Sequence, residues 1–281
     1  MSNRAQITQQ AARDGVPAPT VERDYVLAHI IAAFGALGHG HGLVFKGGTA
    51  LRLCYFEDYR YSADLDFSVV EGGLEAAYAT IEAALAAVAG AVEAVNLTDD
   101  EPRRIAYQGP LGRQRYLKLD IADDELVLNV DTVPLLRRWP DLPETNAVPV
   151  YPLAEIAGEK LRCVMQRMQC RDLFDVWLLL EQAGVDPRDA ADIFIPKAKH
   201  KDLDPSRFDA SYRERLEQYR RRWTTELEIH VPGEVPHFDQ VERSVSRHLR
   251  AVALLQMDIG PLLRQSTSSR QAIPNIRYTV R

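Results

Sequence analysis

A twin-glycine turn followed by a strand bearing two carboxylates constrains this chain more than any other feature. In FKGGTAL (45–51) the apolar run LVF (43–45) ends at Lys46, Gly47 and Gly48 follow, and Thr49 opens a helical restart that reaches Tyr55. About fifteen residues on, SADLDFSVV (62–70) alternates and is rich in β-formers, so it is predicted to be a strand. Successive strand side chains face opposite ways, which sets Ser62, Asp64 and Asp66 on one face and Leu65 and Phe67 on the other. Paired glycines let a backbone approach an anion closely, and a helix start offers free N–H groups at its positive end. Gly47, Gly48, Thr49 and Ser62, with Lys46 beside them, therefore read as a phosphate cradle. It is not a Walker A loop, because the G-x-x-x-x-G-K-[ST] spacing is missing, and GHGHG (38–42) likewise fails the G-x-G-x-x-G pattern. Two like charges one strand repeat apart repel each other, and a bound cation removes that cost. Hard cations such as Mg2+ or Mn2+ take oxygen ligands and suit in-line phosphoryl displacement, so Asp64 and Asp66 are candidate metal ligands.

Composition excludes several classes without naming one. At 281 residues, with 46% hydrophobic and 26% charged content, the chain is ordinary globular material. No apolar run approaches the roughly 18 residues of a membrane span, and the polar N-terminus lacks a secretory core; a cytoplasmic protein is expected. Cys54, Cys163 and Cys170 have neither CxxC nor CxxH spacing, which argues against a disulfide framework or a zinc site. His39 and His41 lack a nearby third ligand and read as part of a turn. The net charge of −6 hides an asymmetry: residues 1–100 hold six Lys/Arg against thirteen Asp/Glu, the remainder 28 against 27. Basic clusters in the second part, among them Lys160/Arg162/Arg167/Arg171, Lys197/Lys199/Lys201 and Arg220–Arg222, permit a polyanionic partner.

Along the chain, residues 1–20 read as a mobile arm. A helix is expected from Thr20 as N-cap through VERDYVLAHIIAAFGAL, and another over LEAAYATIEAALAAVAG, ended by Gly90. Strand candidates follow at AVEAVNL, RQRYLKLDIA and LVLNVDTVPL. Beyond the proline-rich stretch from Pro134 to Pro152 only helical patterns recur, in LAEIAGEKLRCVMQRM, RDLFDVWLLLEQAG and the segments 205–228 and 236–257. The expected class is α+β: a mixed-sheet domain over 21–150, a helical domain over 151–265 and a loose tail over 266–281.

A Gly-Gly-hydroxyl turn, a short helix and a DxD strand together resemble the nucleotidyltransferase fold of the polymerase-β type. Four blocks resemble the AbiEii/AbiGii toxin family within it, which includes the MenT toxins: VERDYVLAHII, FKGGTALRL with YSADLDFSV, YLKLDIA, and LAEIAGEKLRCVMQRMQCRDLFDVWLLL. The resemblance covers roughly residues 20–185. From spacing alone, Lys160 is a surface lysine and Asp172 a helix N-cap. The resemblance implies more: a catalytic lysine at Lys160, an R-D-x-x-D motif containing Asp172, and a third metal carboxylate at Asp120, with Asp131 as runner-up. Arg162 joins Lys46 and Lys160 in offsetting triphosphate charge. The implied activity is transfer of a nucleoside monophosphate from a nucleoside triphosphate to an RNA 3′ hydroxyl, with tRNA the acceptor, the basic C-terminal helices its platform, and an antitoxin the protein partner. Three rivals would use the same residues differently: a protein-hydroxyl transferase, a small-molecule transferase, and a module that binds nucleotide or antitoxin without turnover.

Overall fold

The computed structural model describes residues 3–38, 40–88 and 92–255; the tail expected over 266–281, Gly90 and His39 lie outside them. Two helices, α1 (Asn3–Asp14) and α2 (Ala18–Ala36), lead into β1 (Leu43–Lys46). The twin glycines open α3 (Gly47–Ala50), which widens into a π-helical turn, Leu51–Tyr55, before β2 (Asp64–Val69) and α4 (Gly73–Ala87). Then come β3 (Ala94–Leu97), β4 (Arg104–Gln108), β5 (Gln114–Ala122), β6 (Asp131–Val133) and β7 (Val148–Val150). The remaining described elements are helical: α5 (Leu153–Gln166), α6 (Cys170–Trp177) with a π-helical turn to Gln182, α7 (Pro187–His200), α8 (Phe208–Leu227) and α9 (Phe238–Ala251).

The strands form one mixed sheet in the order β3-β4-β5-β2-β1-β7-β6. β2 lies at its centre, antiparallel to β1 and parallel to β5. Leu65 and Phe67 point into the core from one face of β2 and are fully buried, as their alternation with Asp64 and Asp66 requires. Apolar residues surround α2 on all sides, so it runs through the interior; its two buried acids, Glu22 and Asp24, are each matched by an arginine, Arg115 and Arg52. In α9, Phe238, Val241, Val245 and Leu249 recur at helical spacing and close the helical part. Buried apolar residues from the sheet and from the C-terminal helices form one continuous core. The fold is α+β, as the patterning predicts.

Several local expectations change. The segment read as a mobile arm is helix α1 instead: Ile7 and Ala11, one helical turn apart, are buried, while the Asp14 carboxylate accepts a hydrogen bond from the Tyr61 hydroxyl at 2.6 Å. Two small apolar anchors among polar neighbours leave a weak pattern. Thr20 does not cap α2; the helix begins at Ala18, after Pro17, with Pro19 in the first turn where its missing N–H is harmless. Of LVLNVDTVPL only Asp131–Val133 becomes strand. β4 and β7 arise where no strand is expected, β7 as the proline-interrupted Val148–Val150 paired with β6 near the sheet edge. If α1 is a docked element, Ile7→Ala should lower the unfolding free energy by about 2–4 kcal/mol in urea titration, and an unchanged midpoint would restore the mobile-arm reading.

Candidate active site

Strand pairing assembles the acidic centre. Lys46, the last residue of β1, is opposite Asp66, and Asp66 is in turn level with Asp120 on β5. The turn closes tightly over this row. Gly47 has φ +79°, and a Cβ there would lie 2.5 Å from Asp66 Oδ2. A Cβ at Gly48 would lie 2.7 Å from a guanidinium nitrogen of Arg60 and 3.1 Å from Ser62 Oγ. Both glycines are thus required by close approach, and they bring Asp66, Ser62 and Arg60 against one turn. The buried Thr49 hydroxyl donates to the Asp64 carbonyl, so it locks the turn onto β2 rather than standing ready for a phosphate as the sequence suggests.

Cations flank the carboxylates on two sides. Lys46 Nζ lies 3.4 Å from Glu159 and 3.7 Å from Glu125. Lys197 reaches the same Glu159 at 3.5 Å, and Arg162 lies 3.8 Å from Glu125 while donating to Gln166. Burial alone would lower the Lys46 pKa, but Glu159, Glu125 and Asp66 outweigh it and hold the ammonium charged. On the other side Lys160 Nζ binds Asp172 at 2.9 Å and Asp175 at 2.8 Å. Arg60 clasps Asp175 with two 2.7 Å bonds, joined by the Tyr59 hydroxyl. Arg167 clasps Asp172 at 2.8 and 3.2 Å. Burial would raise both aspartates, yet these cations pull Asp172 and Asp175 below the ordinary carboxylate range. Arg171 Nη2 touches Asp64 Oδ2 at 3.3 Å.

Asp66 differs from these paired acids. Desolvation and the adjacent Asp64 and Asp120 charges push its pKa up to about 6, against only partial relief from Lys46 and Lys160. An under-compensated carboxyl is what a site built for an added cation should show, so the Asp64–Asp66 donor pair fits a hard divalent ion. The carboxylate expected as a third ligand stands apart: Asp120 is exposed and paired with Lys118 at 3.0 Å, and among the described residues no three His, Cys, Asp or Glu side chains already converge as a metal site. Asp131 lies on the edge strand β6, beyond β1 and β7 from β2, and its carboxylate accepts from Thr132 N–H; it does not join the acidic row.

The geometry brings Lys46, Gly47, Gly48, Ser62, Asp64 and Asp66 to one place, with Lys160 close enough to act on Asp66. It sets Arg162 with the Lys46 network instead of the Lys160 one. Asp172 is not an N-cap: it is the third residue of α6, and its carboxylate is wholly taken up by Lys160 and Arg167. Sequence reading reaches Arg171 and Asp175 only as members of the R-D-x-x-D motif, and it misses Arg60, the guanidinium that clasps Asp175. It also missed His230, whose carbonyl accepts from Tyr61 N–H and whose ring is kept neutral, pKa about 4, by burial and by Arg60 and Arg171. The expected basic clusters are split: Lys160, Arg162 and Lys197 are buried, whereas Arg167, Lys199 and Arg220–Arg222 are exposed, the last three each facing an acid. All three cysteines are buried and unpaired, with burial pushing the Cys163 thiol up to about 11. No helix among the described residues is long and apolar enough to cross a membrane.

A family model described as "Nucleotidyl transferase AbiEii toxin, Type IV TA system" matches residues 29–244, which include the turn, the DxD strand, β5 and the α5–α6 block. No curated protein matches the chain. Among solved structures, MenT4, a nucleotidyltransferase toxin from Mycobacterium tuberculosis H37Rv, is similar with a TM-score of 0.65 at 18% identity, covering 90% of each chain, a likeness of fold. A suggested nucleotidyltransferase from H. pylori gives a TM-score of 0.49 at 16% identity over 82% of this chain and 92% of that one. With the family model spanning the acidic row, the twin-glycine turn and the buried ion network together, this chain belongs to the AbiEii family and is a nucleotidyltransferase toxin of a type IV toxin–antitoxin system.

Proposed function

We propose that the protein transfers a nucleoside monophosphate from a nucleoside triphosphate to the 3′ hydroxyl of tRNA, in a reaction that depends on a divalent cation, Mg2+ or Mn2+. The observation that carries the chemistry is Asp66, a carboxyl held under-compensated against the Gly47 turn beside Asp64. The acceptor oxygen attacks the α-phosphorus, its proton leaves to solvent, the α–β bridging P–O bond breaks and pyrophosphate departs with the electron pair. Asp64 and Asp66 would hold the cation, and Asp120, now paired with Lys118, would serve as a third ligand. The ion supplies charge neutralisation at the phosphates and a more acidic acceptor hydroxyl. Gly47, Gly48 and Ser62 seat the triphosphate by backbone approach and hydroxyl contact. Thr49 keeps the turn in register with β2. Lys46, Lys160 and Arg162 lie close enough to offset developing negative charge, and Asp172 and Asp175 orient Lys160. The choice of tRNA rests on the resemblance of the motif blocks; Arg171 beside Asp64, Arg167 on Asp172 and the exposed Lys118 on Asp120 are cations around the site that an RNA phosphate can reach. The toxin family implies an antitoxin as the cognate partner.

Incubation with each radiolabelled triphosphate, Mg2+ and total tRNA should place label on tRNA, and Asp66→Asn should abolish transfer, a loss of at least about a thousandfold, while keeping its circular dichroism spectrum. Label on a protein or a small molecule, or full activity in the variant, contradicts the assignment.

The same carboxyl sets a stability signature. Its pKa is about 6 in the fold against 3.8 as the ordinary value, so the folded state holds the proton more tightly. Stability is therefore lost as pH rises from about 4 through about 6, and the full cost persists above. In metal-free buffer at pH 8, Asp66→Asn should be more stable than the wild type by about 1–3 kcal/mol, with the difference vanishing near pH 4. Mg2+ or Mn2+ should raise the wild-type melting temperature and leave the variant unmoved.

A further inference from the structure

We infer that the cleft between α1, the Leu51–Tyr55 turn and residues 136–139 is a phosphate-binding site, formed by Arg13, Arg52, Arg137 and Arg138 with the indole N–H of Trp139. It is separate from the acidic row and does not depend on the proposed reaction. The cleft encloses about 270 Å³, room for a phosphate and part of the group that carries it. Four arginines line it with Asp24 and Glu57; Arg52 is committed to Asp24 and the Tyr59 carbonyl and Arg13 to Asp14, which leaves Arg137 and Arg138 as the cations with donors to spare. Asp24 is already bound by Arg52 and lies 3.7 Å from Arg138 Nε.

Arg138 is fixed in place: its Nη1 donates to the carbonyls of Arg52, Phe56 and Glu57 at 3.4, 3.2 and 2.7 Å, at the end of the π-helical turn. Its Nε and the Nε1 of Trp139 are buried and, among the described residues, meet no hydrogen-bond partner. Trp139 is only 6% exposed. Buried N–H donors without an acceptor are costly, and two of them beside four guanidinium groups call for an acceptor that is anionic and many-toothed. Burial first, and then the neighbouring Arg52, depress the Arg138 pKa, and Asp24 offsets them only in part. A carboxylate offers two oxygens in one plane, whereas a phosphate presents oxygens in several directions and can meet guanidinium groups arriving from three separate elements. Arg137 stands exposed at the rim, and so does Arg13, whose guanidinium is held by its own-helix neighbours Asp14 and Gln10 and would have to exchange them for the anion. The phosphate can belong to a free phosphate or phosphomonoester, or to the backbone of an RNA strand. Arg52 lies over the Tyr61 ring at 3.7 Å, and Tyr61 leads through Ser62 into β2, so the site is mechanically joined to the strand that carries Asp64 and Asp66.

The chain has three tryptophans, so its three indole N–H resonances can be assigned with Trp139→Phe. In 15N-labelled full-length protein kept in EDTA, titration with inorganic phosphate, and separately with an RNA dinucleotide joined by a single phosphodiester, should move the Trp139 resonance and leave Trp177 and Trp223 in place. Movement by inorganic phosphate identifies a free phosphate or phosphomonoester as sufficient, and movement by the dinucleotide alone identifies an RNA backbone; either supports the site. Arg137→Gln, a rim variant, and Trp139→Phe should each weaken binding about tenfold, the loss of one charge-assisted hydrogen bond, with Trp139→Phe followed through the backbone amides of 136–138. Lys46→Gln, at the twin-glycine turn, should leave the titration unchanged. A Trp139 resonance that moves with neither ligand, or affinity unaltered by Arg137→Gln and Trp139→Phe, overturns the inference.

Discussion

The Asp175 carboxylate is the interaction on which the rest of the site depends. It is fully buried, yet it receives both arms of Arg60, the Tyr59 hydroxyl and the Lys160 ammonium. Isolated charges in such a place would cost several kcal/mol each, and only mutual pairing with near-ideal geometry makes them tolerable. The pairing spans 115 residues of chain and fastens the first helix pair of the C-terminal part to the strand entry. Because Arg60 presses against Gly48, the same clasp fixes the glycine turn from behind. Asp172, one helical turn before Asp175, extends the network to Arg167, and Arg171 turns outward to Asp64. One buried carboxylate thus sets the positions of the turn, the lysine and the nearest arginines.

Against this neutralised background Asp66 stands out. Glu159, Asp172 and Asp175 all have their pKa values lowered by cations in spite of burial, whereas that of Asp66 rises. The cations that could have compensated it are held by other acids: Lys46 by Glu159 and Glu125, Lys160 by Asp172 and Asp175. A sequence selected only for stability would not leave a carboxyl in that state, since exchange for asparagine removes the cost. Local conflict between stability and site chemistry is the pattern expected where binding energy is to be supplied by a ligand.

Much of this was legible in residue order, and the reasons for the gaps are physical. Alternation reveals which face a strand residue takes, so Asp64 and Asp66 could be set together and Leu65 and Phe67 set apart before any coordinates. Twin glycines before a helix announce a close approach, although not of what; here Asp66 and Arg60 fill the space. The Thr49 hydroxyl could be read as a donor, but its partner is a carbonyl fifteen residues away and no local pattern names it. By spacing Lys160 reads as a surface lysine and Asp172 as an N-cap, because burial of a charge leaves no periodic trace when its partner is distant. The basic clusters divide for the same reason: a residue string does not separate a cation that meets an acid in the interior, as Lys197 meets Glu155, from one that stays exposed, as Lys199 and Arg221 do. α1 escaped because Ile7 and Ala11 are its only buried residues.

Register explains why Asp120, and not Asp131, stands level with Asp66. Both follow apolar residues in strand-like runs, and sequence pattern treats them alike. The crossover through α4, β3 and β4 returns β5 beside β2 in parallel, and the one-to-one parallel register then sets Asp120 level with Asp66. Asp131 instead falls on β6, where it closes a turn with its own neighbour at the sheet's far edge. Topology, rather than composition of the strand, therefore selects the acid. Asp120 is exposed and held by a single contact to Lys118, a surface pair of the kind worth at most about 1 kcal/mol. A cation seated on Asp64 and Asp66 would compete for that carboxylate with a doubled charge in a less hydrated place. The pair is weak enough to yield, which makes the acidic row incomplete by itself and completable by the ion it would bind.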